Sequence, residues 1–153
     1  MIKEVFPEDK NIIEQIVQLE KDAFGEGGLN QWDLVPLIRH GRVFYMEEDN
    51  NAAGCIQYML DWKDHTKAYA IGISIARNQR GKGYGTVLFR ESMNTLAAEG
   101  IQTVELTVDP ENTAATEVYG RKLGFVITAR RDDEYGAGIH RIVMEKKLTS
   151  CNK

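Results

Sequence analysis

The residues with the clearest chemical potential form one short stretch, Gln79 to Thr86, with the sequence QRGKGYGT. Its three glycines allow the backbone to curl and to approach a ligand closely, because they carry no side chain. Arg80 and Lys82 add two positive charges. The stretch follows a strand-like run and leads into a helical run, so its amides belong to a helix N-terminus, which attracts anions. The pattern therefore predicts a binding site for phosphate or pyrophosphate.

Two familiar phosphate motifs do not fit this stretch. The P-loop requires Gly-Lys followed by Ser or Thr, but Gly83 follows Lys82. The dinucleotide pattern G-x-G-x-x-G lacks its third glycine, because residues 86 to 89 contain none. What remains is the spacing Arg80-x-x-Gly83-x-Gly85. An ordinary glycine turn on a basic surface is the alternative interpretation.

A second landmark lies further along the chain, in the sequence NTAATEVYGRKLGF from Asn112 to Phe125. Asn112 is placed to cap a helix predicted over residues 113 to 123, and Gly124 ends it. Ala115 and Tyr119 are four residues apart, so they share one face of that helix.

The two motifs, in this order, resemble those of the GNAT acetyltransferase family. The family patterns are Q/R-x-x-G-x-G/A and N-x-x-A-x-x-x-Y-x-x-x-G-F, and this chain has one extra residue between Tyr119 and Gly124. The resemblance covers residues 68 to 126 well. It implies an α+β fold with a mixed, largely antiparallel sheet flanked by helices. The sheet would be splayed between strands 68–76 and 101–108 to hold acetyl-CoA, and residues 1–153 would form a single N-acetyltransferase domain.

The resemblance also implies roles for individual residues, with acetyl-CoA as the co-substrate. The strand backbone at Ile73, Ser74 and Ile75 would pair with the pantetheine arm and offer an N–H to the oxyanion. The pyrophosphate would be held by the loop residues Arg80, Gly81, Lys82, Gly83, Tyr84, Gly85 and Thr86. The thioester end would be lined by Asn112, Ala115 and Tyr119. Tyr119 would protonate the departing thiolate. A plain helix cap at Asn112 and a core aromatic at Tyr119 are the structural alternatives.

The general base is less clearly marked. In the subgroup resembling ribosomal-protein N-terminal acetyltransferases, a glutamate stands five residues before the motif's asparagine, where this chain has Thr107. Glu105, two residues earlier on the same strand face, is the candidate base. An ion-paired strand residue and a water chain are the alternatives. Glu26 and the acidic loop from Asp132 to Tyr135 are candidates for attracting a cationic acceptor.

Hydrophobic periodicity and turn residues predict the elements that position these motifs. The predicted order is a helix from about residue 7 to 24, a helix between Asn30 and Gly41, and strands 42–47, 52–60 and 68–76. A helix over 84–99, a strand over 101–108, the helix over 113–123, and strands 125–129 and 139–148 follow. Glu20 falls among the apolar residues of the first helix at helical spacing. Consecutive strands predict antiparallel pairing in the first half.

Composition favours one globular domain and argues against several classes of partner. The chain has 153 residues, of which 42% are hydrophobic and 27% charged, with a net charge of −4. We expect no nucleic-acid partner, no membrane span and no metal, because long basic patches, long apolar runs and Cys/His clusters are missing from the sequence. Cys55 and Cys151 fit a reducing compartment, so we expect a cytoplasmic location. A homodimer is one option for the assembly.

Together these features predict an N-acetyltransferase that moves the acetyl group of acetyl-CoA directly to a primary amine of a small molecule or peptide. Two alternatives remain at this stage. One is a protein N-terminal acetyltransferase, and the other is a CoA-binding regulatory module without turnover.

Overall fold

A computed structural model describes residues 1–149; positions 150–153, which include Cys151, lie outside the described residues. The described chain contains the strands β1 (Ile2–Glu4), β2 (Arg42–Glu48), β3 (Asn51–Leu60), β4 (Lys67–Ile75), β5 (Thr103–Val108), β6 (Val126–Arg131) and β7 (Arg141–Lys147). Its α-helices are α1 (Lys10–Phe24), α2 (Gln31–His40), α3 (Tyr84–Ala98) and α4 (Thr113–Glu117). No helix within residues 1–149 is both long and apolar enough to cross a lipid bilayer.

The boundaries of the first two helices follow from their end residues. The Asn30 side chain accepts a hydrogen bond from the Asp33 amide, and the Asp33 carboxylate accepts one from the Asn30 amide, which completes a capping box. Gly41 ends α2, and a Cβ at this position would lie 2.5 Å from the Tyr58 carbonyl oxygen. The predicted cap at Asn30 and the stop at Gly41 are confirmed.

The seven strands form one sheet in the order β1-β2-β3-β4-β5-β7-β6. β4 and β5 pair in parallel through Lys67–Tyr69 and Thr103–Glu105, whereas β1/β2, β2/β3, β5/β7 and β6/β7 are antiparallel. The prediction of a mixed, largely antiparallel sheet flanked by helices is confirmed. The edge strand β1 was not predicted, because three residues are too short for an alternating pattern. Its strand conformation is determined by its pairing with β2, in which Ile2 lies opposite Met46, 44 residues away in the chain.

The predicted helix over residues 113–123 is present as far as Lys122, but its second half is not α-helical. α4 ends at Glu117, and Val118–Lys122 forms a π-helical turn. The Phe125 N–H then donates to the Tyr119 carbonyl at 3.0 Å. Phe125 is buried, and a π-helical turn is the usual way for a helix to absorb one extra residue. The added residue between Tyr119 and Gly124 therefore widens the helix instead of displacing Phe125 from the core.

The chain divides into two compact units, each with its own buried residues. The first comprises Met1–Leu60 and Ala70–Ser92, and the described part of the second comprises Asp61–Tyr69 and residues 93–149. A core in the first unit packs α1 and α2 on β2 and β3, and it contains Ile13, Ile16, Leu34, Ile38, Val43 and Cys55. The second unit buries side chains of β5 and β7, among them Val104, Leu106, Val143 and Met144. The sequence-based expectation of a single domain stays a prediction.

Candidate functional site

The glycine-rich loop of the first unit joins β4 to α3 and adopts a conformation that favours glycine. Gly81 has φ +80° and Gly83 has φ +77°, both in the left-handed region. A Cβ at either position would meet no protein atom within 4 Å. The backbone conformation, and not packing within the protein, therefore demands glycine at these two positions.

The loop ends at the N-terminus of α3, a helix of 15 residues. The Val87 N–H donates to the Gly83 carbonyl at 3.2 Å, which closes the first turn. The amides from Tyr84 to Thr86 precede this bond, so they have no acceptor inside the helix. Arg80 and Lys82 are both exposed at the same loop. Backbone donors, the helix dipole and two cations together make a site suited to a phosphate group.

Contacts with β4 hold the loop in place. The Arg80 Nε donates to the carbonyl of Ile75, the last residue of β4, at 3.1 Å. A Cβ at Gly85 would lie 3.9 Å from Ile75 Cγ1 and 4.0 Å from Ile73 Cδ1, an ordinary van der Waals distance. The bulky face of β4, which carries Ile73 and Ile75, thus lies against the first turn of α3.

Tyr84 and Lys82 close the other side of the loop. The Tyr84 hydroxyl donates to Glu48 Oε2 at 2.9 Å, and this bond raises the pKa of the phenol. Lys82 Nζ donates to Gln79 Oε1 at 2.9 Å and lies 5.8 Å from the centre of the Tyr84 ring. Both contacts are made at exposed side-chain ends, so the Lys82 ammonium stays available to a negatively charged ligand.

The second unit carries Asn112, Ala115 and Tyr119. Asn112 Oδ1 accepts the Ala115 N–H at 3.1 Å, which confirms its predicted position as a helix cap. Tyr119 begins the π-helical turn with Val118, is half-buried, and has its ring centre 6.2 Å from that of Phe125. Burial raises the pKa of the Tyr119 phenol. The phenol is therefore protonated at neutral pH and able to donate a proton.

Glu105 is held by two cations in the second unit. Its Oε1 lies 3.0 Å from Lys67 Nζ, and its Oε2 lies 3.3 Å from a terminal nitrogen of Arg131. Burial would lower the pKa of Lys67, but Glu105 and then Glu145 outweigh it and raise that pKa. Because both oxygens of Glu105 already face cations, the arrangement favours an ion-pair role, and the base role stays a prediction.

Thr107 makes a hydroxyl contact where the related subgroup has a carboxylate. Its Oγ1 lies 2.9 Å from the Tyr69 hydroxyl on β4. Burial is the main cause that raises the pKa of Tyr69 to about 12, a shift that the Thr107 hydrogen bond opposes and Tyr135 reinforces. The predicted acidic loop thus contributes Tyr135 to this hydroxyl cluster. Glu26, the other acceptor-side candidate, is exposed.

The predicted site residues are divided between the two compact units. The first unit contains Ile73 to Ile75 and the loop from Arg80 to Thr86, and the second contains Glu105, Asn112, Ala115 and Tyr119. Sequence reasoning missed the burial of Glu20 and Gln57 in the first unit, where each of them, like Ser74, has a side-chain oxygen without a hydrogen-bond partner within residues 1–149. The available signal was Glu20, an acidic residue on the apolar face of α1.

Comparison with known proteins places these features in a wider context. Residues 13–125 match the family model described as Acetyltransferase (GNAT) family. A mycothiol acetyltransferase from Kytococcus sedentarius is 41% identical over 70 residues, which are 46% of this chain and 22% of that protein. An L-2,4-diaminobutyric acid acetyltransferase from Nocardia farcinica is 24% identical over 79 residues, 52% of this chain and 41% of that protein. The chain thus matches less than half the length of either relative.

The fold has close counterparts among solved structures. The ribosomal-protein-S18-alanine N-acetyltransferase from Escherichia coli superposes with a TM-score of 0.81 at 17% identity, over 100% of this chain and 97% of that one. At this identity the likeness concerns the fold alone. The family model covers most of the chain, including both the glycine loop and the Asn112–Phe125 motif, and so this chain belongs to the GNAT family of acetyltransferases.

Proposed function

We propose that this protein is an acetyl-CoA-dependent N-acetyltransferase that transfers the acetyl group directly to the primary amine of a small molecule. The observation that carries the proposal is the loop before α3. Two glycines in the left-handed region, the N-terminus of a 15-residue helix and two exposed cations favour a pyrophosphate. Acetyl-CoA is the co-substrate whose binding this loop would serve in a GNAT acetyltransferase.

The residues of the chain would divide the work of binding and proton transfer. Amides from Gly81 to Thr86, with Arg80 and Lys82, would hold the pyrophosphate, and the backbone from Ile73 to Ile75 would pair with the pantetheine arm. Acetyl-CoA supplies an activated acetyl group. A backbone N–H from the same strand segment would stabilise the oxyanion. The Tyr119 hydroxyl would give its proton to the departing sulfur, and the proton that the attacking amine loses would pass to Glu105 or along a water chain.

The choice of a small-molecule acceptor has two supports. The names of the two curated relatives refer to mycothiol and to L-2,4-diaminobutyric acid, and neither name refers to a protein acceptor. Thr107 also stands where the ribosomal-protein subgroup has a glutamate, and it is already engaged with Tyr69. A protein N-terminus remains the alternative acceptor, and a CoA-binding regulatory module without turnover remains the alternative class.

Release of free thiol from acetyl-CoA, followed in the presence of an amine panel, tests the proposal. The panel contains diamino acids, polyamines, amino sugars and short peptides with free N-termini, and product masses identify the acetylated species. We expect acceptor-dependent thiol release with a small amine and an acetylated product of matching mass. Turnover with peptides alone would favour the protein N-terminal alternative. Tight acetyl-CoA binding without turnover on any acceptor would favour the regulatory module.

A further inference from the structure

Three buried oxygen atoms of the first unit have no hydrogen-bond partner within residues 1–149. They are Glu20 Oε2, Gln57 Oε1 and Ser74 Oγ. Only 3% of Glu20, 0% of Gln57 and 4% of Ser74 is exposed. Buried polar atoms are nearly always hydrogen-bonded, so these three oxygens of the first unit are candidates for contacts with a polar ligand. Nothing in the mechanism proposed above uses the side chains of Glu20 or Gln57.

Two of these side chains project from one face of the sheet. The Ala76 N–H donates to the Ala53 carbonyl at 2.8 Å, and this bond sets the pairing of β3 with the end of β4. In an antiparallel register through that bond, Cys55 lies opposite Ser74 and Gln57 lies two residues further along β3. Residues two apart on a strand share a face, so Gln57 and Ser74 point to the same side.

A separate contact supports this register. A Cβ on Gly72 would lie 3.4 Å from Gln57 Oε1, so the amide oxygen of Gln57 lies over β4, two residues before Ser74. The Gln57 Nε2 donates to Cys55 Sγ at 3.3 Å, which fixes the orientation of the amide. Its nitrogen is thus engaged, and its oxygen is the end that has no partner within residues 1–149.

Glu20 reaches the same region from α1. Ile16, one helical turn before Glu20, packs in the same core cluster as Cys55, the residue opposite Ser74. The negative charge of Glu20 adds to the effect of burial, the main cause that raises the pKa of the Cys55 thiol. Glu20 Oε1 accepts the Leu29 N–H at 3.2 Å. Since Oε1 is engaged in this way, Oε2 is the carboxylate oxygen that remains for another donor.

We propose that Glu20 Oε2, Gln57 Oε1 and Ser74 Oγ form a cradle for the primary ammonium group of the acceptor substrate. This inference rests on the function proposed above and identifies which residues select the acceptor. A carboxylate and an amide oxygen can only accept hydrogen bonds, and a hydroxyl can also accept. A primary ammonium offers three N–H donors, accepts none, and carries the charge opposite to that of Glu20. Ser74 belongs to the strand segment proposed to pair with the pantetheine arm, so the cradle adjoins it.

The segment from Gly25 to Leu29 borders the cradle. It lies directly against Glu20, because a Cβ on Gly28 would be 2.5 Å from the Glu20 carbonyl oxygen. Its Leu29 N–H is the donor that engages Glu20 Oε1.

Thermal unfolding with two small cations tests the cradle without any acetyl transfer. Methylammonium chloride supplies a charged group with N–H donors, whereas tetramethylammonium chloride at equal ionic strength supplies the charge without them. We expect methylammonium to raise the melting temperature of the wild-type protein above the value in tetramethylammonium. Glu20→Gln keeps an oxygen for the Leu29 N–H and removes the charge, so the difference should disappear. Glu14→Gln, an exposed charge change on the same helix, should preserve it.

Steady-state kinetics on the best amine of the panel separates this inference from the proposed function. Glu20→Gln should raise the KM for the amine roughly 10- to 100-fold, in line with a hydrogen bond to a charged group, while the acetyl-CoA Kd stays within about twofold. Gln57→Met, which keeps the shape and removes the oxygen, is the second variant and should raise the same KM. An unchanged amine KM in both folded variants overturns the cradle while leaving the acetyltransferase intact. Selective methylammonium binding in a protein that acetylates no amine overturns the proposed function and leaves the cradle standing.

Discussion

At the scale of single residues, the glycine loop gives the sharpest test of cofactor binding. Replacing Gly83 with Glu places a side chain at φ +77° and a negative charge beside the phosphate site. We expect acetyl-CoA binding to be lost in calorimetry. Gly85→Ala is the matched control, because its Cβ would make only ordinary contacts at 3.9 and 4.0 Å. Its Kd should change by less than about threefold. Equal affinities of a folded Gly83→Glu protein and the wild type would refute the site.

Tyr119 is the residue whose removal should affect chemistry more than stability. Tyr119→Phe keeps the ring beside Phe125 and removes only the hydroxyl. We expect kcat to fall by roughly 10- to 10³-fold, the usual range for general-acid catalysis, with nearly unchanged acetyl-CoA affinity. Steady-state kinetics and thermal melting on one preparation provide the check. Full activity would remove Tyr119 as the acid, and a large loss of melting temperature would indicate a structural hydroxyl.

A substitution at Glu105 distinguishes an ion-pair role of this residue from a catalytic role. If its contacts with Lys67 and Arg131 define its role, Glu105→Gln should leave kcat/KM within about threefold at every pH and should lower the stability by about 1–3 kcal/mol. Kinetics across a pH series and urea unfolding measure the two effects. A selective loss of kcat/KM at low pH, roughly 10²-fold or more, would instead identify Glu105 as the base.

At the scale of elements, the stability of α4 and of the π-helical turn depends on Asn112, the residue that caps α4. Asn112 caps α4 through the Ala115 amide, so Asn112→Ala should cost about 1 kcal/mol and lower the melting temperature by roughly 2–4 °C. Asn112→Asp retains a capping oxygen and should restore most of that stability. If Asn112 serves only as a cap, the Asp variant keeps wild-type acetyl-CoA affinity and kcat. Restored stability with reduced activity would show that the amide also contacts the ligand.

At the scale of the whole molecule, alkaline pH should destabilise the fold through Tyr69. Its folded pKa of about 12 exceeds the unfolded value of about 10, so the folded state favours the protonated phenol. The resulting stability is fully present below about pH 10 and is lost as the pH rises through about 12. We expect this loss to amount to about 1–2 kcal/mol after allowance for solvent screening at a partly exposed group.

Urea unfolding from about pH 9 to about pH 12 measures this dependence. The raised pKa of Lys67 acts in the same direction, because its protonated form is also favoured in the folded state. Tyr69→Phe removes the contribution of the phenol and should flatten the decline without abolishing it. An identical decline in the wild type and Tyr69→Phe would show that the titration of Tyr69 is not linked to folding.

The sequence alone determined the local features of this protein. A feature that depends on a few neighbouring residues can be predicted from the sequence. This was so for the glycine turn at Gly81 and Gly83, the helix caps at Asn30 and Asn112, and the helix end at Gly41. Hydrophobic periodicity predicted the strand β4 and the helices α1 and α3. The two motifs in this order indicated the GNAT family. The resemblance to that family implied the complete sheet, which hydrophobic periodicity predicted only in part.

The tertiary structure decided the features that depend on distant residues. β1 exists because β2 pairs with it, and the π-helical turn exists because Phe125 must reach the core. Strand spacing indicated Glu105 as the candidate base, a role that stays a prediction, and only the fold showed that Lys67 and Arg131, 38 and 26 residues away in the chain, lie against its two oxygens. Spacing placed Glu20 among the apolar residues of α1, and only the fold showed that it is buried with Oε2 lacking a hydrogen-bond partner within residues 1–149. Spacing along a chain determines which residues share an element, whereas burial and charge pairing arise only when separate elements pack.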